Sequence, residues 1–436
     1  MIEDTIVAIA TPPGKAGVAI VRISGSKSEE ILKNITKSSD SLVPRHMYLK
    51  NVYLDGFVDN SLFVYFKSPN SYTGEDVGEI QCHGGYFVAE EVLKQVLKLG
   101  ARLAEPGEFS KRAFLNGKMS IDQAEGIMDI INAETKAQAS VGSELIKGKL
   151  FEKINTIQTN LTDAIADVEA KLDYPEYDFE ETEEQALKKN LLNIKQELEI
   201  LINSNIKGNK IKNGVKVAIV GRPNVGKSSL LNALTNSEKA IVTDVAGTTR
   251  DIIEGEYIYN GILFRLFDTA GIHESEDVVE RIGIERAKDS VKSADIVLKL
   301  QEVGENFEID TFDKPVINVF TKSDLHNLED FNVDNGICIS SVNNTNIDEL
   351  KKLVFEKTMI DGYDSSQLYL TNTRHVESLK EALNALTRAI DSLENTTLDF
   401  VVSDLNICWH KLGEITGQTS NEEIIDRIFK KFCLGK

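Results

Sequence analysis

The chain has 436 residues, of which 41% are hydrophobic and 27% charged, with a formal net charge of −20. That length calls for two or three hydrophobic cores, since single cores stop growing at about 250–300 residues, and no apolar run approaches the roughly 20 residues of a membrane span. The acidity argues against tight, non-specific binding to nucleic acid, which needs Lys and Arg to neutralise phosphates, but leaves room for a local basic patch or a basic partner.

The first residues, Met1 to Val7, are acidic and then strand-like. A signal peptide needs a basic start and an apolar stretch, so a cytoplasmic location is expected. The cysteines, Cys82, Cys338, Cys408 and Cys433, show no CxxC spacing and fit reduced thiols better than a zinc or dithiol motif. Residues 1–118 mix strand-like runs (Ile6 to Ala10, Val18 to Val21, Leu62 to Phe66) with Gly and Pro turns and one helix over Ala89 to Leu99, the texture of an α+β domain.

From residue 119 the period changes. Ser120 can cap a helix starting at Ile121. Leu150, Ile154, Ile157, Leu161, Ile165, Val168 and Leu172 then line one face of a long helix, and Leu187, Leu191, Ile194, Leu198 and Leu201 line a second. Tyr174-Pro175-Glu176-Tyr177 separates them, and Glu180 to Glu184 reads as a solvated helix start or loop. Lys207-Gly208-Asn209-Lys210 reads as a polar linker closing a segment 119–211. Residues 212–371 alternate strand and helix as in a doubly wound α/β sheet, with strands at Val215 to Val220, Ile262 to Phe267, Ile296 to Leu300, Val316 to Phe320 and Ile337 to Ser340. Over 372–436 helical texture returns, with Val376, Leu379, Leu383, Leu386, Ile390 and Leu393 on one face. The arrangement predicts one all-α domain split by an inserted α/β domain; two separate helical units are the alternative.

Gly221-Arg222-Pro223-Asn224-Val225-Gly226-Lys227-Ser228 fits G-x-x-x-x-G-K-[ST], between a strand and a helix as the chemistry requires. Backbone N–H groups from Asn224 to Ser229 can curl around phosphates, Lys227 can supply a charge to the β and γ oxygens, and Ser228 can offer a hydroxyl to Mg²⁺. Asp268-Thr269-Ala270-Gly271 follows an apolar strand, where Asp268 can hold the Mg²⁺ shell and the Gly271 N–H can sense a γ-phosphate. Thr321-Lys322-Ser323-Asp324 ends another strand, and Asp324 there can accept from the guanine N1–H and amine, which adenine does not offer; Ser340-Ser341 can support the base. The set resembles the translation-factor-like GTPases, with Thr321 where N-K-x-D usually begins with Asn. Ile272 stands where Ras-like enzymes carry the Gln that orients water, and the carboxylates between Ser275 and Gly283 do not by themselves identify a substitute.

Asn224, the run from Thr243 to Asp251, and the D-T-A-G segment through Glu280-Arg281-Ile282-Gly283 resemble the MnmE (TrmE) family of tRNA wobble-uridine modification GTPases. That resemblance implies a K⁺ held by Asn224, Thr243, Val245 and Thr248, with Thr249 joining Ser228 on Mg²⁺, Glu280 orienting the water, and the GTPase domains of two subunits meeting face to face. The resemblance covers essentially the whole chain. At the N-terminus it rests on Thr11-Pro12-Pro13-Gly14, Val21-Arg22-Ile23-Ser24-Gly25, Tyr72-Thr73-Gly74-Glu75-Asp76, His83-Gly84-Gly85 and Glu105 to Lys118, motifs that taken singly read as loops. It implies a dimerising domain that binds a tetrahydrofolate one-carbon donor (5,10-methylene or 5-formyl) through Arg22, Glu79, Lys118 and Lys436, with Cys433 in the terminal Cys-Leu-Gly-Lys as a functional thiol. Nearby Lys430, Lys431 and Lys436 would favour its thiolate. The implied partners are a second copy, the flavoprotein MnmG in a heterotetramer, and tRNA. His83 reads as structural more readily than as a base. A ribosome-assembly GTP switch would share the nucleotide motifs but needs an RNA-binding appendage, and neither end of the chain shows a basic G-x-x-G domain.

Overall fold

The structure is a computed structural model that describes residues 4–173, 181–235, 253–268, 289–302, 308, 310–325, 336–359, 363–364, 366–395, 397–433 and 435. In chain order the N-terminal elements are β1 (Ile6–Ile9), β2 (Val18–Ser24), α1 (Ser28–Thr36), β3 (Met47–Tyr53), β4 (Val58–Phe66), β5 (Val77–His83), α2 (Tyr86–Lys98), β6 (Arg102–Leu103) and α3 (Glu108–Leu115). Four helices follow: α4 (Ile121–Ile131), α5 (Lys136–Ile146), α6 (Lys149–Asp173) and α7 (Glu181–Asn213). The α/β segment comprises β7 (Val215–Gly221), α8 (Lys227–Thr235), β8 (Gly255–Tyr259), β9 (Ile262–Asp268), β10 (Ile296–Glu302), β11 (Val316–Thr321), β12 (Gly336–Cys338) and α9 (Ile347–Thr358). The chain closes with α10 (Thr373–Asn395), α11 (Leu398–Thr416) and α12 (Glu422–Phe429).

Contacts divide the chain into two compact units. The first comprises Met1–Met128, Leu145–Lys195 and Ser378–Lys436; the second comprises Asp129–Glu144 and Gln196–Glu377. In the first unit a six-stranded sheet runs β3-β4-β5-β2-β1-β6, antiparallel except where β1 and β6 pair parallel. Alternation decides its faces. Val7, Val21, Ile23, Phe63, Tyr65 and Ile80 point to one side and join Ile31, Leu32, Val92 and Val96 of α1 and α2 in a buried core. The opposite side carries Leu49 against Leu62 and, nearby, Arg22 against Glu79. The helical layer pairs α6 with α11, whose Leu405, Cys408 and Leu412 are buried like Leu150, Ile154, Ile157 and Leu161.

In the second unit the sheet order is β12-β11-β10-β7-β9-β8, parallel except for the edge strand β8. Val217, Ile219, Leu266, Leu298, Leu300 and Val319 lie buried on one face with Leu230 and Leu350 of α8 and α9, and Ala218, Val220 and Val297 on the other with Val291. Burial on both faces explains why these strands read as continuous apolar runs.

The linker expected at Lys207–Lys210 is helix, inside α7. Its glycine is the reason. A Cβ on Gly208 would sit 2.0 Å from the Leu370 carbonyl oxygen, so the residue admits a neighbouring backbone rather than ending the helix. Asn205 Nδ2 donates to that same carbonyl at 2.9 Å and Lys210 Nζ to Thr358 O at 2.7 Å. Tertiary bonds here override propensity.

Candidate functional site

The first site is a backbone cradle at the end of β7. Gly221 must be glycine because a Cβ would come 2.7 Å from Leu300 O on the neighbouring strand. Asn224 and Gly226 take positive φ, +63° and +98°, curling the loop so that it leads into the N-terminus of α8, the helix end that favours an anion. Lys227 is buried and its ammonium donates to Gly221 O at 2.8 Å and Arg222 O at 2.9 Å, carbonyls of the loop it would serve. Ser228 and Ser229 are exposed at the helix start. Loop and helix have the backbone form of a phosphate cradle, with the lysine held on the loop's own carbonyls.

The segment after β11 abuts this loop. Thr321 Oγ1, buried, donates to Val225 O at 2.7 Å. A hydroxyl thus ties the two segments at the position where N-K-x-D usually has an Asn amide. Lys322 pairs with Glu302 at the end of β10. Asp324 accepts from Ser340 Oγ at 2.6 Å, and Ser340 Oγ accepts from Asn343 N at 3.2 Å. Ser341 follows, half-buried. Val225, Thr321, Lys322, Asp324 and Ser340 therefore gather at the ends of adjacent parallel strands, the usual ligand edge of such a sheet. Asp268 ends β9; its side chain lies outside the described residues, as do Thr243, Val245, Thr248, Thr249, Thr269, Ala270, Gly271 and Glu280. Glu302 was not anticipated; its only sequence signal is its place at a strand end.

The second site lies in the first unit. Register places Arg22 opposite Glu79, and Arg22 Nε donates to Glu79 Oε1 at 2.8 Å. The guanidinium stands 5.5 Å from the centre of the Tyr72 ring and 5.9 Å from that of Phe109. From the far end of the chain Gly435 O accepts from Arg22 Nη1 at 3.4 Å. The tail is fixed closely: Gly435 has φ +88°, a Cβ there would meet Ile9 O at 2.6 Å, and Cys433 O accepts from Gly107 N at 3.3 Å. Phe432 and Phe429 are buried with Ile121 and Ile425, anchoring the residues just before the tail. Lys118 Nζ donates to Pro69 O at 3.0 Å, on the loop that carries Tyr72; Lys436 lies outside the described residues. The set offers a cation, a carboxylate and two aromatic faces, which suits a flat heterocycle bearing N–H donors and a carboxylate.

The same loops carry a charge network that the sequence did not disclose. Arg112, 1% exposed, donates to Asp4 O at 3.0 Å, Asp4 Oδ1 at 2.8 Å, Glu75 Oε2 at 3.1 Å and Glu108 Oε1 at 2.9 Å. Arg102 adds bonds to Asp4 and Glu108. Burial alone would raise the Glu108 carboxyl, but hydrogen bonds from Arg102, the Glu105 N–H and Arg112 outweigh it and hold the group below its ordinary 4.5. Glu75 also accepts from Ser24 Oγ at 2.7 Å, and Ser24 contacts Thr73 Oγ1 at 2.7 Å, so the network fixes the loop that presents Tyr72.

His83 is exposed, and its Nδ1 lies 2.7 Å from Asp59 Oδ1, whose carboxylate also accepts from His83 N at 3.3 Å. Burial pushes the Cys82 thiol up to about 11 and the Cys408 thiol to about 12, which leaves both inert; Cys433 is the exposed thiol. Among the described residues no helix is long and apolar enough to cross a membrane.

The family model described as MnmE helical domain matches residues 121–433, and that described as GTP-binding protein TrmE N-terminus matches 5–118. A curated relative named tRNA modification GTPase MnmE, from Lactobacillus gasseri, is 40% identical over 99% of this chain and 98% of its own. One of the same name from Bacillus licheniformis is 39% identical over 99% and 100%. Among solved structures, the G domain of the T. maritima FeoB iron transporter aligns with 28% identity over 33% of this chain and 98% of that one, with a TM-score of 0.25. It spans a third of the chain, so the family assignment rests on the full-length relatives.

Proposed function

The chain belongs to the MnmE (TrmE) family of tRNA modification GTPases, and from that premise we propose that it is a K⁺-activated GTP hydrolase that acts with the flavoprotein MnmG on the wobble uridine of certain tRNAs. The product would be a C5 aminomethyl or carboxymethylaminomethyl group, with a tetrahydrofolate as one-carbon donor. The observation that carries this reading is the tail: Gly435 lies on β1 and β2 within bonding distance of Arg22, in the same chain. A GTPase that only switched would have no use for Gly435 beside a paired arginine and carboxylate and two aromatic rings.

At the nucleotide site, Asn224 to Ser229 would wrap the phosphates and Lys227 would leave its loop carbonyls for the β and γ oxygens. Ser228 and Thr249 would hold Mg²⁺, with Asp268 in its outer shell and Thr269, Ala270 and Gly271 beside the γ-phosphate. Thr321, Lys322, Asp324, Ser340 and Ser341 would take the base. Asn224, Thr243, Val245 and Thr248 would hold K⁺. A cation there offsets charge that develops on the transferred phosphoryl group, as an arginine finger does, an effect of roughly 10³–10⁵ in rate. Glu280 would orient the attacking water.

At the pocket, Arg22, Lys118 and Lys436 would meet the folate carboxylates and Glu79 the pterin N–H groups, with Cys433 as the nearby thiol. The sheet face that carries Arg22 and Glu79 also exposes Val18, Met47, Leu49 and Leu62, a surface suited to a second copy of the chain. Residues 1–118 would dimerise there, 212–371 would form the GTPase domain, and 119–211 with 372–436 the helical domain. Two measurements test the reading. Hydrolysis should be faster in K⁺ than in Na⁺ at matched ionic strength, and wobble uridines from a deletion strain should lack the C5 group by mass spectrometry; equal rates in the two salts would remove the cation from the mechanism.

A further inference from the structure

The bond at Thr321 has a consequence for which part of the base the nucleotide site reads, and it rests on the guanine-nucleotide reading above. A threonine hydroxyl has one proton to give. Val225 O is a carbonyl and can only accept, so at 2.7 Å that proton points at the phosphate loop. Thr321 is buried, 3% exposed. Three residues on, Asp324 is turned toward Ser340, whose hydroxyl it accepts at 2.6 Å. A carboxylate has about four acceptor positions, so this bond leaves room in principle for a base's N1–H and amine.

The two residues thus flank a bound guanine differently. Asp324 takes the Watson–Crick edge. Thr321 touches the phosphate loop, so a base whose phosphates sat in that loop would turn its five-membered ring, the part nearest the ribose, toward it. The atom there that needs a partner is N7, an acceptor without hydrogen. Thr321 has no second proton to offer it. An Asn in this position, the residue that usually opens the motif, would have two amide protons, one for Val225 O and one for N7.

We infer that Thr321 is a specificity-determining residue that gives guanine N7 no hydrogen bond: it spends its only donor on tying the base-reading segment to the phosphate loop, and the Watson–Crick edge of the base is read through Asp324. The site should therefore accept a nucleotide in which N7 is replaced by C–H as readily as the natural one, and gain discrimination only when a second donor is supplied.

The test is calorimetric titration of the full-length chain with GDP and with 7-deaza-GDP in Mg²⁺. The wild type should bind the two within about twofold. Thr321→Asn should open a gap of about three- to tenfold in favour of GDP, the worth of one net hydrogen bond. Thr321→Ser keeps one donor and should leave the two ligands equal. Asp324→Asn should weaken both alike. A wild-type chain that prefers GDP by more than threefold overturns the inference while leaving the guanine site standing, and so does a Thr321→Asn chain that binds both ligands equally. If neither ligand binds the wild type, or if Asp324→Asn changes neither affinity, the guanine-nucleotide reading itself fails and the inference with it.

Discussion

The two sites are built by opposite means. The nucleotide loop is contiguous, Gly221 to Ser228, and made chiefly of backbone whose shape is fixed by positive φ at Asn224 and Gly226 and by the close approach of Leu300 O to Gly221. The cluster around Arg22 is made of side chains drawn from residues 22, 72, 79 and 109 and a carbonyl from residue 435, beside a buried arginine and three carboxylates. A backbone site tolerates changes around it but not a change of its glycines or its lysine. A side-chain site depends on supports that need never touch the ligand.

That contrast can be broken by changes confined to one site. The largest effect is expected at Arg112→Ala, which leaves Glu75, Glu108 and Asp4 without their buried partner. Removing one side of such a pair costs about 3–5 kcal/mol, to be read by denaturant unfolding, while nucleotide affinity should hold. Lys227→Ala should lower GTP hydrolysis by about a hundredfold or more and leave 5-formyltetrahydrofolate binding unchanged in a titration. Loss of both activities from either variant would mean the sites are not independently built.

Gly435→Val sharpens the comparison within the pocket. The residue has φ +88° and faces Ile9 O, so a side chain costs about 1–3 kcal/mol locally. The tail should detach and tetrahydrofolate affinity should fall about tenfold, with little change in unfolding. The smallest effect is on acid stability. Glu108 and Asp4 are both held below their ordinary values of 4.5 and 3.8, against burial, by bonds from Arg102 and Arg112. Their contribution is complete above those values and is lost as pH falls through the lower folded ones. Circular dichroism should thus show acid unfolding below about pH 4.5, shifted toward higher pH in an Arg102→Ala chain.

The same contrast explains what was legible beforehand. The phosphate loop and the strands leading to it could be read because their chemistry is local and their burial two-sided. β3, β5, β6 and β8 were not read; in β3 exposed Met47, Leu49 and Tyr53 alternate with Tyr48, Lys50 and Val52, so exposure alternates while hydropathy does not. The helix through Lys207–Lys210 was misread because the bonds that hold it come from Leu370 and Thr358. Tyr72 and Arg112 stood inside motifs that resembled the family, yet their partners are set by tertiary packing that no spacing rule encodes.

The central claim is that the chain's own carboxyl tail completes a one-carbon pocket on the sheet of its N-terminal domain. It is tested most directly by titrating 5-formyltetrahydrofolate into the full-length chain and into one ending at Phe432. The account predicts saturable binding to the full chain and at least a tenfold loss in the shortened one, with GDP affinity equal in both. Undiminished folate binding without Cys433 to Lys436 would contradict it.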